Sequence, residues 1–186
     1  MDAATQSQTA NAKLAAVLAG LEGGMVGVLW MLAWLGLSSV WQQRSFWTPE
    51  NLMSTAFDRN ASLAGFGWPT CAGLALYVVM YSLLGALFGV IVRDRVPRKR
   101  IMLVGVVFSL AWYYFSFRWT FRFALPLVSL LHVERSTMMG HLVFGMMLGR
   151  FPIYVHRLMG SVETGPPPVA AMETQDEVPT EPQASD

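Results

Sequence analysis

Few residues in the apolar part of this chain could do chemistry, and each is isolated. Glu22 lies inside a long apolar run, beside Gly23 and Gly24. A carboxylate at the centre of a membrane helix costs about 2.5–3.5 kcal/mol, so one kept there would be a proton or cation site, or would pair with another helix. The other reading is that the crossing segment begins after Glu22. Gly23 to Val40 is already long enough to cross without a charge, which would leave Glu22 among headgroups near the basic stretch Arg93 to Arg100. That reading is preferred because it removes the buried charge. His141, near the start of the last apolar run, and Glu50 are the two groups that could serve a lipid-modifying reaction at an interface. Glu50, Asn51 and Asp58 form a polar group with Arg44 and Arg59. They could frame a small site; the simpler expectation is that they cap a short helix and pair at the surface.

Metal and nucleophile chemistry find no pattern here. A bis-histidine haem needs imidazoles on two helices at one depth, and the first three apolar runs contain no histidine. His141 and His156 would stand about 22 Å apart on one helix, at about 1.5 Å per residue. Zinc would need clustered His, Cys or carboxylate. No G-x-S-x-G motif occurs, and Ser54 and Ser62 have no histidine nearby in sequence. No cofactor, metal or catalytic group is therefore expected. The single cysteine, Cys71, permits no internal disulfide and reads as a small buried hydrophobe.

The elements that must position these residues are set by hydropathy. Of 186 residues 54% are hydrophobic and 13% charged, against roughly 25% charged in soluble domains. Four apolar runs, about 14–41, 70–92, 101–117 and 138–155, approach the roughly 20 residues a helix needs to cross a bilayer. The expected fold is an all-α, four-helix transmembrane bundle over residues 14–157, with short interfacial helices. A polar segment, 1–13, precedes it, and a disordered acidic tail with a triple proline, 161–186, follows it. No folded basic face of a nucleic-acid binder is present.

Small residues recur at spacing four: Gly20 with Gly24, Gly23 with Gly27, Gly85 with Gly89, and Gly145 with Gly149. Such pairs lie on one helix face, where another backbone can approach closely. The connector Arg44–Asn60 predicts a short helix with Thr48 as N-cap and Pro49 at the first position. Its residues Leu52, Met53, Ala56 and Phe57 would form the buried side of an amphipathic helix lying in the interface. The aromatic stretch AWYYFSFRWTF reads as a belt at the membrane boundary.

The two halves share a plan of span, proline-bearing aromatic connector and span ending in a glycine pair and arginine. GALFGVIVR matches GMMLGRF and RSFWTP matches FRFALP, though at different offsets. A parallel repeat would produce this. Lys13, five basic residues in Arg93–Arg100, Arg150 and Arg157 fall on one side. Arg44, Arg59, Arg118, Arg122 and Arg135 fall on the other. That asymmetry predicts both termini in the cytoplasm.

The stretches GGMVGVLWMLAW, SFWTPENLMSTAF and HLVFGMMLGRFP resemble small, uncharacterised four-span proteins of the bacterial inner membrane. The resemblance implies that location and no activity. The sequence reading is thus an integral membrane protein, non-enzymatic and acting through helix packing or assembly. Its partners would be membrane lipid and either further copies of itself or another membrane protein. A small transporter or channel subunit using Glu22 is the alternative, and a lipid-modifying enzyme a further one.

Overall fold

The structure is a computed structural model that describes residues 3–93 and 95–163. The acidic tail expected at 161–186 lies, beyond Glu163, outside the described residues. Among the described residues there is helix and no strand. Four stretches are long and apolar enough to cross a membrane: Ala10–Trp41, Trp68–Val92, Arg98–Ala124 and Glu134–Met159. The chain is an all-α, four-helix membrane bundle.

The first helix, α1 (Ala3–Trp41), has 39 residues. At about 1.5 Å per residue it is roughly 58 Å long, nearly twice the hydrocarbon thickness. It therefore begins well before the apolar run that starts near Leu14. A connector carrying α2 (Thr48–Met53) and two 3₁₀ turns leads to α3 (Trp68–Val92). The second half repeats the plan: α4 (Arg98–Phe115), a π-helical turn (Ser116–Thr120), α5 (Phe121–Ala124), α6 (Pro126–Leu131) and α7 (Glu134–Leu148). The last run does not stay one straight helix. It breaks after Gly149 and resumes as α8 (Phe151–Glu163).

Glycine decides how these helices meet. In the antiparallel α1–α3 pair, a Cβ on Gly20 would collide with the Gly85 carbonyl, one on Gly24 with the Tyr81 carbonyl, and one on Gly89 with the Ala16 carbonyl. The α4–α7 pair uses the same device: a Cβ on Gly105 would stand 2.6 Å from the Gly145 oxygen, and one on Gly149 2.9 Å from the Met102 Cα. Side chains are excluded there, so dispersion contact runs backbone to backbone. The two hairpins match further along. Where Gly24 meets the Tyr81 carbonyl, Ser109 in α4 donates to the His141 carbonyl at 2.6 Å. Tyr81 and His141 hence occupy equivalent places in α3 and α7, each four residues before its glycine pair.

Helix α1 also packs on α7, with Gly140 against Met31 and Leu35 and Gly27 against Phe144. Residues on the outside are apolar too: Leu29, Val79, Leu83, Val107 and Leu130 are all more than half exposed. A helix apolar on every side is one whose outer face meets lipid.

The connector helix departs from the expected surface position. Pro49 does occupy the first turn, but Thr48 donates to the Ser45 carbonyl and caps nothing. Pro49, Glu50, Asn51, Leu52 and Met53 are all buried, so α2 is sunk into the bundle, while Phe57 is 71% exposed. The reason is Gly73: any Cβ there would overlap the Glu50 carbonyl, and its absence lets α2 settle onto α3. Cys71 also differs from expectation, being exposed on the outer face of α3.

Gly85→Ala should lower the unfolding free energy in detergent by at least about 1–3 kcal/mol, the cost of forcing a methyl into a packed contact. Gly65→Ala, where a Cβ meets nothing within 4 Å, should leave the thermal melt unchanged.

Candidate functional site

The polar groups of the bundle gather along one line, starting from the connectors. His141 is 1% exposed and sits at the centre of the four helices. Its Nδ1 lies 2.8 Å from the Thr137 carbonyl, one turn back on α7. A carbonyl only accepts, so Nδ1 carries the proton and Nε2 must accept. The donor to Nε2 is the Tyr81 hydroxyl, reaching across the bundle from α3 at 2.7 Å. Tyr113 packs on the same imidazole with ring centres 5.2 Å apart. The π turn after α4 swings Phe117 inward, 6.4 Å from His141 and 4.1 Å from His132. The Trp112 indole N–H is buried beside this cluster, next to the Tyr81 hydroxyl.

Tyr77 continues the line one turn above Tyr81, its ring centre 5.9 Å away. It borders a cleft of about 50 Å³ that also touches Ser39, Arg44, His132, Ser136 and Thr137. That volume admits a few waters. Below His141 the line ends. Phe88, Phe144 and Leu148 are almost wholly buried there, and Phe88 meets Phe108 at 5.3 Å. The polar track is closed towards the end that carries the termini.

Glu50 lies in α2, within electrostatic range of Tyr77. It is 3% exposed, and its Oε2 is buried with no hydrogen-bond partner. Burial raises its carboxyl from 4.5 to about 7, against a smaller lowering by a hydrogen bond from its own backbone N–H. Asn51, beside it, is by contrast fully used. Its Nδ2 donates to the Ala64 carbonyl at 2.7 Å and the Gly65 carbonyl at 3.2 Å. Its Oδ1 accepts from Thr70 Oγ1 at 2.8 Å. Asn51 is a clamp that closes the connector onto the start of α3.

The expected surface cluster therefore comes apart. Glu50 and Asn51 point into the bundle, Asp58 accepts from Asn60 N at 2.9 Å in the following turn, and Arg44 donates to the Leu131 carbonyl at 3.1 Å, bridging the two connectors. His141 is not at an interface, and its ring partner is a tyrosine rather than a carboxylate. Glu22 lies on the terminal side of the bundle, within the stretch Ala10–Trp41, and pairs with Arg157 of α8. Between Met147 and Arg157, about 15 Å of helix at about 1.5 Å per residue, contacts on α1 move only from Gly27 to Glu22. Helix α8 thus crosses α1 obliquely and brings its arginine to the acid. Gly20, Gly24, Gly85, Gly89, Gly145 and Gly149 all lie at contacts between helices of the same chain.

Tyr81 escaped the sequence reading, although a signal existed. Tyr81-x₃-Gly85-x₃-Gly89 and His141-x₃-Gly145-x₃-Gly149 are one pattern with two polar rings in the same slot. The fold and this buried line define the class: a multi-pass helical membrane protein with a polar centre reached from its connector end. Comparison with protein families, curated proteins and solved structures finds no match to the chain.

Tyr81→Phe should cost about 1–3 kcal/mol, because it leaves His141 Nε2 buried and unpaired. In a double-mutant cycle with His141→Phe, read by thermal unfolding, the two losses should be clearly less than additive. Additive losses would show that the hydrogen bond is not formed.

Proposed function

We propose that this is a non-enzymatic, non-conducting protein of the bacterial inner membrane, with both termini in the cytoplasm, that takes up a proton at Glu50 from the periplasmic side. The observation that carries this reading is the Glu50 carboxyl: it is buried, one oxygen has no partner, and the neighbouring Tyr77 borders a water-sized cleft. A buried ionised carboxylate without a partner is costly, so the group holds its proton near neutrality. Protonation removes the charge, and ionisation places an unpaired negative charge where α2 rests on α3. Small changes in acidity would therefore alter how tightly the connector is held.

Conduction through Glu22 has no support, because Glu22 is paired with Arg157 and the polar track stops above Phe88 and Phe144. A lipid-modifying reaction at Glu50 and His141 has none either, since His141 is buried and bonds Tyr81 rather than a carboxylate. Assembly through the glycine pairs also loses its warrant, as those faces are consumed within the chain.

The sign of the pH effect follows from the raised value. Between 4.5 and about 7 the folded state binds more protons than the unfolded one, so stability falls as pH rises through that window. The fall is bounded at about 3.5 kcal/mol, at roughly 1.4 kcal/mol per unit, and Glu50→Gln should abolish it. The infrared carbonyl band of a protonated acid, followed in vesicles, should titrate near pH 7 in the native chain and vanish in Glu50→Gln. A midpoint near 4.5 would refute the proposal.

Orientation is tested separately. In a Cys71→Ser background, Leu63→Cys, whose site is 91% exposed in the connector, should react with an impermeant maleimide in spheroplasts. Labelling only after lysis would reverse the topology.

A further inference from the structure

At the opposite end of the bundle, two clefts flank Arg93, the residue on which α3 ends. One, of about 400 Å³, lies between the loop before α4 and the start of α8. Arg93, Arg98 and His156 supply its polar rim, and Val96, Phe151 and Val155 part of its apolar wall. The other, of about 410 Å³, lies between α1 and α3, with Lys13, Arg93 and Arg95 on the rim and Val17 and Val90 on the wall. Among the described residues, neither lining includes an acid.

We propose that this end binds an anionic phospholipid, its phosphate held between Arg93 and Arg98 and its acyl chains lying along Val96 and Val155. Three arguments converge. The stretch 93–100 carries five basic residues against one acid, and its net positive charge complements a phosphodiester, for which the guanidinium offers paired N–H donors. The depth is right, since the cationic rims stand where α3 ends and α4 begins, and the apolar walls continue onto the outer surfaces of the membrane-crossing helices. A free phosphate would use the rims alone, whereas the walls match the glycerol and chains of a lipid. Basic pockets between helices at the membrane boundary are suited to such headgroups.

The binding orders the structure as well. Lys13 comes from α1, Arg93 and Arg95 from the end of α3 and the loop after it, Arg98 from α4 and His156 from α8. One lipid at Arg93 would hold the two hairpins together where α3 and α4 otherwise touch little.

The test uses the full chain in detergent, with native mass spectrometry counting bound lipid. Phosphatidylglycerol should bind at least tenfold more tightly than phosphatidylcholine of the same chains. Arg95→Gln/Arg98→Gln should remove most of that preference, while Arg118→Gln/Arg122→Gln, which deletes equal charge at the other end, should keep it. Equal binding of the two lipids, or equal loss in both double variants, would overturn the proposal. So would displacement of the lipid by an equal concentration of glycerophosphate, which would make this a simple anion site. Should Arg95→Gln/Arg98→Gln fail to fold, as read by circular dichroism, Arg98→Gln alone replaces it: at least a twofold weaker phosphatidylglycerol affinity supports the site, and an unchanged one refutes it.

Discussion

Backbone-to-backbone contact at glycine is the constraint on which this bundle rests. Gly20 and Gly24 meet Gly85 and Gly89, and Gly105 meets Gly145 and Gly149. In a bilayer no hydrophobic driving force brings apolar helices together, because lipid tails are as apolar as the side chains. Close approach is what remains, since it multiplies dispersion contacts that no longer side chain could make. The stripe also fixes rotation. With Gly85 turned to α1, Tyr81 must point into the centre; with Gly145 turned to α4, His141 must do the same. The hydrogen bond between them follows from the packing of two hairpins built to one plan.

A similar device works at the connector. Gly73 lets α2 sink until Glu50 and Asn51 are buried, which in an interfacial helix would have been wet. Asn51 offsets its burial with three partners, whereas Glu50 leaves an oxygen unsatisfied. Two neighbouring polar residues on one short helix thereby have opposite characters. One is a structural clamp, and the other is a carboxyl that burial pushes up to about 7.

The two ends of the molecule divide their labour. The connector end holds the neutral polar line, the small cleft and a carboxyl that titrates near neutrality. The terminal end holds the clustered cations, the oblique α8 and the Glu22–Arg157 pair. Between them Phe88, Phe144 and Leu148 form a buried apolar layer. That separation allows a buried histidine in a membrane protein without a path across it.

Much of this was legible in the residues themselves. Helix number, the approximate crossing segments, the glycine spacings and the asymmetry of charge all come from local composition, because a bilayer imposes length and polarity on each segment independently. Which surface each glycine stripe would face was not. The stripes could equally have served a second molecule, and only the tertiary structure spends them inside the chain. Glu22 shows the same limit: its place on the terminal side can be read from hydropathy, but Arg157 is brought to it by a break at Gly149 and the oblique run of α8. The burial of Glu50 depends on a missing Cβ at Gly73, more than twenty residues away. Local pattern sets what a segment can be, whereas a partner across the bundle is set by packing, which no segment carries alone.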